Sequence, residues 1–263
     1  MIGKGLGRNR WALAVRVLYT SSGHPQGERP PLSHARNETV LPSKLREGKL
    51  RNMNAETHSC CFCDGLVRGT SGAPWDTILH DSDRFVITPT KGSLVPGWLL
   101  VVAKTHAICT GAISTNECQE LKSCLARAQD LVRQNFGPPT VFEHGPFHPN
   151  TTLGCGIDHL HLHVAPLSFS LRNAVNRLFP ATEWRTISDL SGTNALFDAH
   201  IGYGIVQEPN DRMYWCQPPA GIRQFFRRAI ACELEMPAEF DYAEFPHLLN
   251  VRHTLRHIPQ ASS

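Results

Sequence analysis

The sequence predicts an α+β domain in which an antiparallel sheet carries a row of histidines and is packed with helices. Three observations predict it. Residues 159–164 read HLHLHV, an alternation of imidazole and aliphatic side chains with the period of a strand. Residues 84–89 and 98–103 are two apolar, β-rich runs joined by a turn at 90–97 that is rich in Gly and Pro, the pattern of a hairpin. Ser114 then forms an N-cap with Glu117 as its capping-box partner. The run to about Asn135 places Leu121, Leu125, Ala128, Leu131 and Val132 at helical spacing.

Composition bounds the answer. With 41% apolar and 19% charged residues, the 263-residue chain has the balance of a globular protein and not of a disordered one. No apolar run approaches the ~18 residues of a transmembrane helix, so no membrane partner is expected. The net charge of +3 conceals an asymmetry. Residues 1–52 hold ten Lys or Arg against three acids, so they contribute +7 and the rest of the chain −4, which weakens any case for a nucleic-acid groove. Residues 1–57 therefore read as a disordered basic leader or as the product of an upstream start, with Met53 as the natural first residue. A secretory or basic targeting peptide is the other reading. Nine cysteines, an odd number without a dense framework, point to an intracellular, cytoplasmic protein.

Along the chain, the first chemistry is Cys60-x-x-Cys63, a knuckle that can give two thiolates to zinc or form a redox pair. A redox role needs a strand before it and a helix after it, and Asp64-Gly65 followed by Arg68-Gly69 reads as a turn. Cys61 has no assigned role. The hairpin ends at Lys104-Thr105-His106, the helix over 114–135 follows, and a short strand at 140–143 leads to the histidine strand. There His159, His161 and His163 share one face. Such a row can hold a metal, attack phosphorus or contact an anion; the plainer reading is a strand whose solvated face happens to be rich in histidine. Cys60, Cys63, His106 and His159 together make a Cys₂His₂ set suited to a closed, structural Zn²⁺, which leaves His161 for chemistry.

These residues resemble the histidine triad (HIT) superfamily of nucleotide-binding hydrolases and transferases. His159-Leu160-His161-Leu162-His163-Val164-Ala165 matches its signature, and Cys60-x-x-Cys63 and the strand ending at His106 match further positions in order. The resemblance covers about residues 58–168 and implies a HIT-like fold. It implies that His161 is the nucleophile that attacks the α-phosphate of a nucleotide, held by a backbone carbonyl next to the first histidine. It further implies that His163 contacts phosphate or the leaving group, and that His159 is a zinc ligand with Cys60, Cys63 and His106. A homodimer, usual among small members, is a further implication.

The departures are specific. Many members carry Gly-Gln-Ser/Thr-Val before the triad, where this chain has Gly154-Cys155-Gly156-Ile157; two side-chain phosphate donors are absent, leaving backbone N–H groups around Gly154 and Gly156 as an anion nest. The acid that binds ribose in small members is replaced at about Thr90. Glu143 and His144 are candidate compensators near the catalytic strand, with polar residues at a strand end as the alternative. Lys104 and Lys91 are candidates to steer phosphate. Asp158 alternates away from the triad.

Residues 169–263 form an extension expected to pack on the core. Residues 169–184 are placed to cover the site, with Arg172 and Arg177 as anion contacts. A hairpin is expected from 201–206 and 213–216, and a helix over 221–234 with Arg223, Arg227 and Arg228 on a basic side. Two functions compete: an enzyme working at a nucleotide phosphorus through His161, and a catalytically weak module that binds RNA, nucleotide or a protein partner through that basic helix.

Overall fold

The computed structural model describes residues 60–68, 72–151, 156–210 and 212–258. The leader expected over 1–57 and the nest residue Gly154 lie outside these residues. In chain order the elements are α1 (Cys61–Arg68), β1 (His80–Asp81), β2 (Phe85–Pro89), β3 (Leu99–Ala103), α2 (Thr115–Asn135), β4 (Thr140–Gly145) and β5 (His161–Ala165). They continue as α3 (Leu171–Leu178), β6 (Arg185–Ile187), α4 (Thr193–Asp198), β7 (Tyr203–Gln207), β8 (Met213–Cys216), α5 (Phe225–Glu233) and α6 (Leu248–His257). Eight strands make one sheet in the order β1-β2-β3-β5-β4-β7-β8-β6, antiparallel at every pairing. This is the expected α+β, HIT-like architecture. Among the described residues, no helix is long and apolar enough to cross a membrane.

Each predicted strand forms for the reason the sequence suggests. β2 and β3 pair from Phe85↔Ala103 to Pro89↔Leu99, and all ten residues are buried, as continuous apolar runs require when both faces are covered. Helix α2 begins at the expected capping box: Ser114 accepts from the Glu117 backbone, and the Glu117 carboxylate accepts from Ser114 N at 2.9 Å. Such a cap is worth about 1 kcal/mol.

Strand parity sorts the sheet into two buried faces. Ile87, Leu99, Val101, Val141, Leu162 and Val164 belong to the core shared with α2 residues such as Leu121 and Leu125. On the other face Phe142 and Ala165 pack with Phe225, Phe226 and Ala229 of α5 and with Leu171 and Val175 of α3. Full burial of Phe225 and Phe226 contributes roughly 1.5–3 kcal/mol each.

Three expectations are corrected and one alternative falls away. The turn expected after Cys63 is helix α1, closed by Asp64 N donating to Cys60 O at 2.9 Å. The histidine face is not solvated: His159, His161 and His163 are 1%, 7% and 3% exposed, because α1, α3 and α5 cover it. The helix expected over 221–234 starts only at Phe225, since Gln224 takes a left-handed φ of 55° and breaks the run. Its basic side is therefore not a surface stripe, and Arg227 is 1% exposed. Finally, the sheet runs through the boundary drawn at 168, because β7 pairs with β4 from Val141↔Gln207 to Gly145↔Tyr203.

The C-terminal segment also fastens the turn between β2 and β3. Arg227 Nη2 donates to Gly92 O, Gly92 N to Pro246 O at 3.0 Å, Asn250 Nδ2 to Ser93 O at 2.8 Å, and Gly97 N to Thr254 Oγ1 at 2.7 Å. Thr90, in the same turn, is 4% exposed.

Candidate functional site

The metal set assembles from three separate parts of the chain. Cys60 and Cys63 flank the start of α1, His106 follows β3, and His159 precedes β5; their ligand atoms all lie within 4.8 Å of one another. A tetrahedron with metal–sulfur bonds of ~2.3 Å and metal–nitrogen bonds of ~2.05 Å has N–N edges of about 3.3 Å and S–N edges of about 3.5 Å. The His159 and His106 Nδ1 atoms are 3.3 Å apart, and three of the four sulfur–nitrogen separations are 3.3, 3.4 and 3.5 Å. His159 Nε2 donates to Ala103 O at 2.7 Å, which turns the Nδ1 lone pair toward the cluster. Two thiolates and two imidazoles at these spacings fit a structural Zn²⁺ with all four positions filled by protein. Phe62, between the two cysteines, packs its ring 5.4 Å from both the His159 and the His161 rings, so the metal site and the triad are built on one another.

Each ring beyond the metal site has its tautomer set by a neighbour that bonds in only one way. His161 Nδ1 lies 2.6 Å from His159 O. A carbonyl only accepts, so Nδ1 carries the proton and the neutral ring holds its lone pair on Nε2. His163 Nδ1 accepts from Trp98 Nε1 at 3.1 Å. An indole only donates, so His163 carries its proton on Nε2, an atom with no partner. Burial, reinforced by neighbouring cations and imidazoles, drives the His163 pKa well below its ordinary value and keeps the ring neutral. The ring is clamped by stacking on Phe142 at 4.7 Å and 14° and stands edge-on to His161 at 5.0 Å.

A fourth imidazole completes the face. The β4–β5 register pairs Phe142 with His163, and continuing it brings His144 level with His161 on the same side. His144 Nε2 accepts from Phe226 N at 3.3 Å, so its proton sits on Nδ1, a second buried donor without a partner. Burial lowers its pKa to about 3. His161 thus offers a lone pair, while His163 and His144 offer two unsatisfied N–H groups, an arrangement that suits attack on a centre whose surrounding oxygens gain negative charge.

The other candidates go elsewhere. Glu143, next to His144, points to the opposite face: its Oε1 accepts from Thr110 N at 2.7 Å and its Oε2 from Tyr203 OH at 3.3 Å. Burial raises its pKa to about 7. Period-two alternation alone separates Glu143 from His144. Lys104 pairs with Asp81, and Lys91 lies over the Trp75 ring at 5.4 Å. Arg172 sits on the Tyr214 ring at 3.5 Å, and Arg177 binds Glu233, so neither reaches for an anion at the triad. Asp158 accepts from Asn150 N at 2.6 Å. Gly156 is exposed with φ +88°. Sequence reasoning missed Trp98 and Phe226, whose side-chain and backbone N–H groups, respectively, fix the His163 and His144 protons; the signal available was only that Trp98 opens a strand beside the triad.

No protein-family model matches the chain, and no curated protein matches it. Among solved structures it is similar to yeast Ap4A phosphorylase, at 13% identity over 76% of this chain and 82% of that one, TM-score 0.37. It is also similar to a zinc-bound histidine triad family protein from Mycobacterium smegmatis, at 19% identity over 54% of this chain and 92% of that one, TM-score 0.32. A third is a HIT-like protein involved in cell-cycle regulation from Bartonella henselae, at 16% identity over 41% and 78%, TM-score 0.34.

Proposed function

We propose that the protein is a nucleotide hydrolase or nucleotidyl transferase that works at an α-phosphate through a covalent nucleotidyl-histidine on His161. The observation that carries this reading is the 2.6 Å contact from His161 Nδ1 to the His159 carbonyl, which aims a lone pair from Nε2 into a face whose two remaining buried nitrogens are donors. The Nε2 lone pair forms a bond to phosphorus as the bond from phosphorus to the leaving atom breaks, and the bonding pair departs with that atom. The N–H groups of His163 and His144 bind the equatorial oxygens as charge accumulates there. Water or another acceptor then attacks phosphorus, the P–N bond breaks, its electron pair returns to Nε2, and the nucleotide is released or transferred. Cys60, Cys63, His106 and His159 would hold Zn²⁺ as a staple that supplies folding energy; Phe62 extends that rigidity to the His161 ring.

Two of the three cations behind the competing reading, a binding module with a basic C-terminal helix, are engaged within the chain, which favours the enzyme. Arg227 is buried, and Arg228 lies on the Phe240 ring at 3.7 Å with its Nε on Arg223 O.

The test is intact-protein mass spectrometry of the full chain with a panel of dinucleoside polyphosphates, nucleoside phosphoramidates and nucleotide sugars. A nucleotidyl adduct on the wild type that is absent from His161→Asn is expected. No adduct and no turnover across the panel would refute the proposal.

A further inference from the structure

Arg223 stands apart from the other cations around the triad face. Arg172 is taken by Glu208 and Tyr214, Arg177 by Glu233, and Arg227 by two carbonyls. Arg223 is exposed, and its guanidinium has no acid within ion-pair distance among the described residues; Asp241 senses its charge only at longer range. Its position is specific. A Cβ built on Gly156 would lie 2.6 Å from Arg223 Nη2, so the guanidinium rests against the bare Cα of the glycine three residues before His159. That is the position where the resemblance expects a hydroxyl donor and this chain has none.

The chain around Arg223 is anchored to the triad itself. Three residues on, Phe226 N bonds His144, and four residues on, Arg227 lies 4.9 Å over the Trp98 ring, whose N–H holds His163. Gln224 takes a left-handed φ of 55°, which keeps Arg223 out of α5, and its guanidinium lies against Gly156. The cation thus sits in the space that a side chain at 156 would fill, on a chain segment whose next residues, Phe226 and Arg227, contact His144 and Trp98.

We propose that Arg223 binds the leaving group and that this group is anionic, so the substrate is a phosphoanhydride whose second phosphate departs from the nucleotidyl group. The inference rests on the function proposed above and names the substrate class for the same site. As the bridging P–O bond breaks, its electron pair remains on the departing phosphate. A guanidinium on that phosphate forms charge-assisted hydrogen bonds that strengthen as the charge grows. An amine leaving group has no such oxygens and draws nothing from Arg223.

The experiment compares diadenosine tetraphosphate with adenosine 5′-phosphoramidate, which deliver the same adenylyl group from anionic and amine leaving groups, in the wild type, Arg223→Met and Arg223→Lys. The ratio of kcat/KM for the two substrates is expected to fall about 10- to 100-fold in Arg223→Met, the span of a lost charge-assisted contact, and to recover in large part in Arg223→Lys. A ratio within about threefold of wild type in Arg223→Met, alongside a normal His161 adduct, overturns the role of Arg223 and leaves the nucleophile standing. Absence of any adduct or turnover in the wild type overturns both proposals. Should Arg223→Met not fold, Arg223→Gln decides, since it keeps a polar side chain and removes the charge: a ratio lowered about 10-fold or more supports the proposal and one within about threefold of wild type overturns it.

Discussion

Replacing Arg227 with Met tests how the C-terminal segment is held to the sheet. The guanidinium is 1% exposed and donates from Nε to Phe240 O at 2.8 Å and from Nη2 to Gly92 O, while lying over the Trp98 ring at 4.9 Å. Methionine fills much of the volume but donates nothing. Two carbonyls, one on buried Gly92 and one on half-buried Phe240, would lose a charged donor at about 2 kcal/mol each, and loss of the cation–ring contact adds about 1 kcal/mol. Removing a buried charge returns part of its desolvation cost, which offsets about 2 kcal/mol of this. The net expectation is a loss of about 3 kcal/mol, or roughly 6–12 °C in Tm for a folded unit of this size. Urea and thermal unfolding of the zinc-loaded chain would measure it, and faster amide exchange at Gly92 should accompany it, because that N–H is fastened by Pro246 of the same segment. A loss below about 1 kcal/mol with unchanged Gly92 exchange would refute the reasoning.

Cys63→Ala should abolish stoichiometric zinc and lower stability, whereas His161→Asn should retain both; metal content and melting of the two variants check this, and zinc loss in His161→Asn would mean that the ligand set is wrong. The buried Glu143 makes stability fall as pH rises: with a folded pKa of about 7 and an ordinary value of 4.5, the folded chain keeps a proton that the unfolded chain has lost throughout that window. Relative to Glu143→Gln, the wild type should therefore lose of order 3 kcal/mol between pH 4.5 and 7 and change little above it. Parallel pH dependences in the two proteins would show that Glu143 does not titrate there.

Much of the fold was legible because its signals are local. The alternation at 159–164, the apolar pair of strands and the Ser114–Glu117 box are each read within one element, and each formed where expected. The metal set was legible because two cysteines on one turn and histidines beside two adjacent strands have few ways to meet. What failed depended on partners remote in sequence. Arg227 looks like a surface cation on a helical wheel, but its acceptors come from Gly92 and Phe240. The burial of the histidine face follows from Phe225 and Phe226, more than sixty residues downstream of the triad, whose apolar character announces a core without saying which one. Helix α1 was hidden by Asp64-Gly65, a pair that reads as a turn unless the cysteines on either side of Phe62 are already fixed. The split between Glu143 and His144 needed only the parity rule applied to one more strand.

The fixed tautomers have a consequence for proton traffic. Trp98 and the Phe226 backbone can give hydrogen but not take it, so His163 and His144 cannot reverse their polarity without stranding a buried donor. Neither ring can then serve as the base that relieves an attacking water of its proton. Of the four imidazoles around this face, His159 belongs to the metal set, and in the proposed reaction only the Nε2 atom of His161 would regain a basic pair, at the moment its bond to phosphorus breaks. Under that proposal the group that opens the reaction would also be the one that collects the proton that closes it.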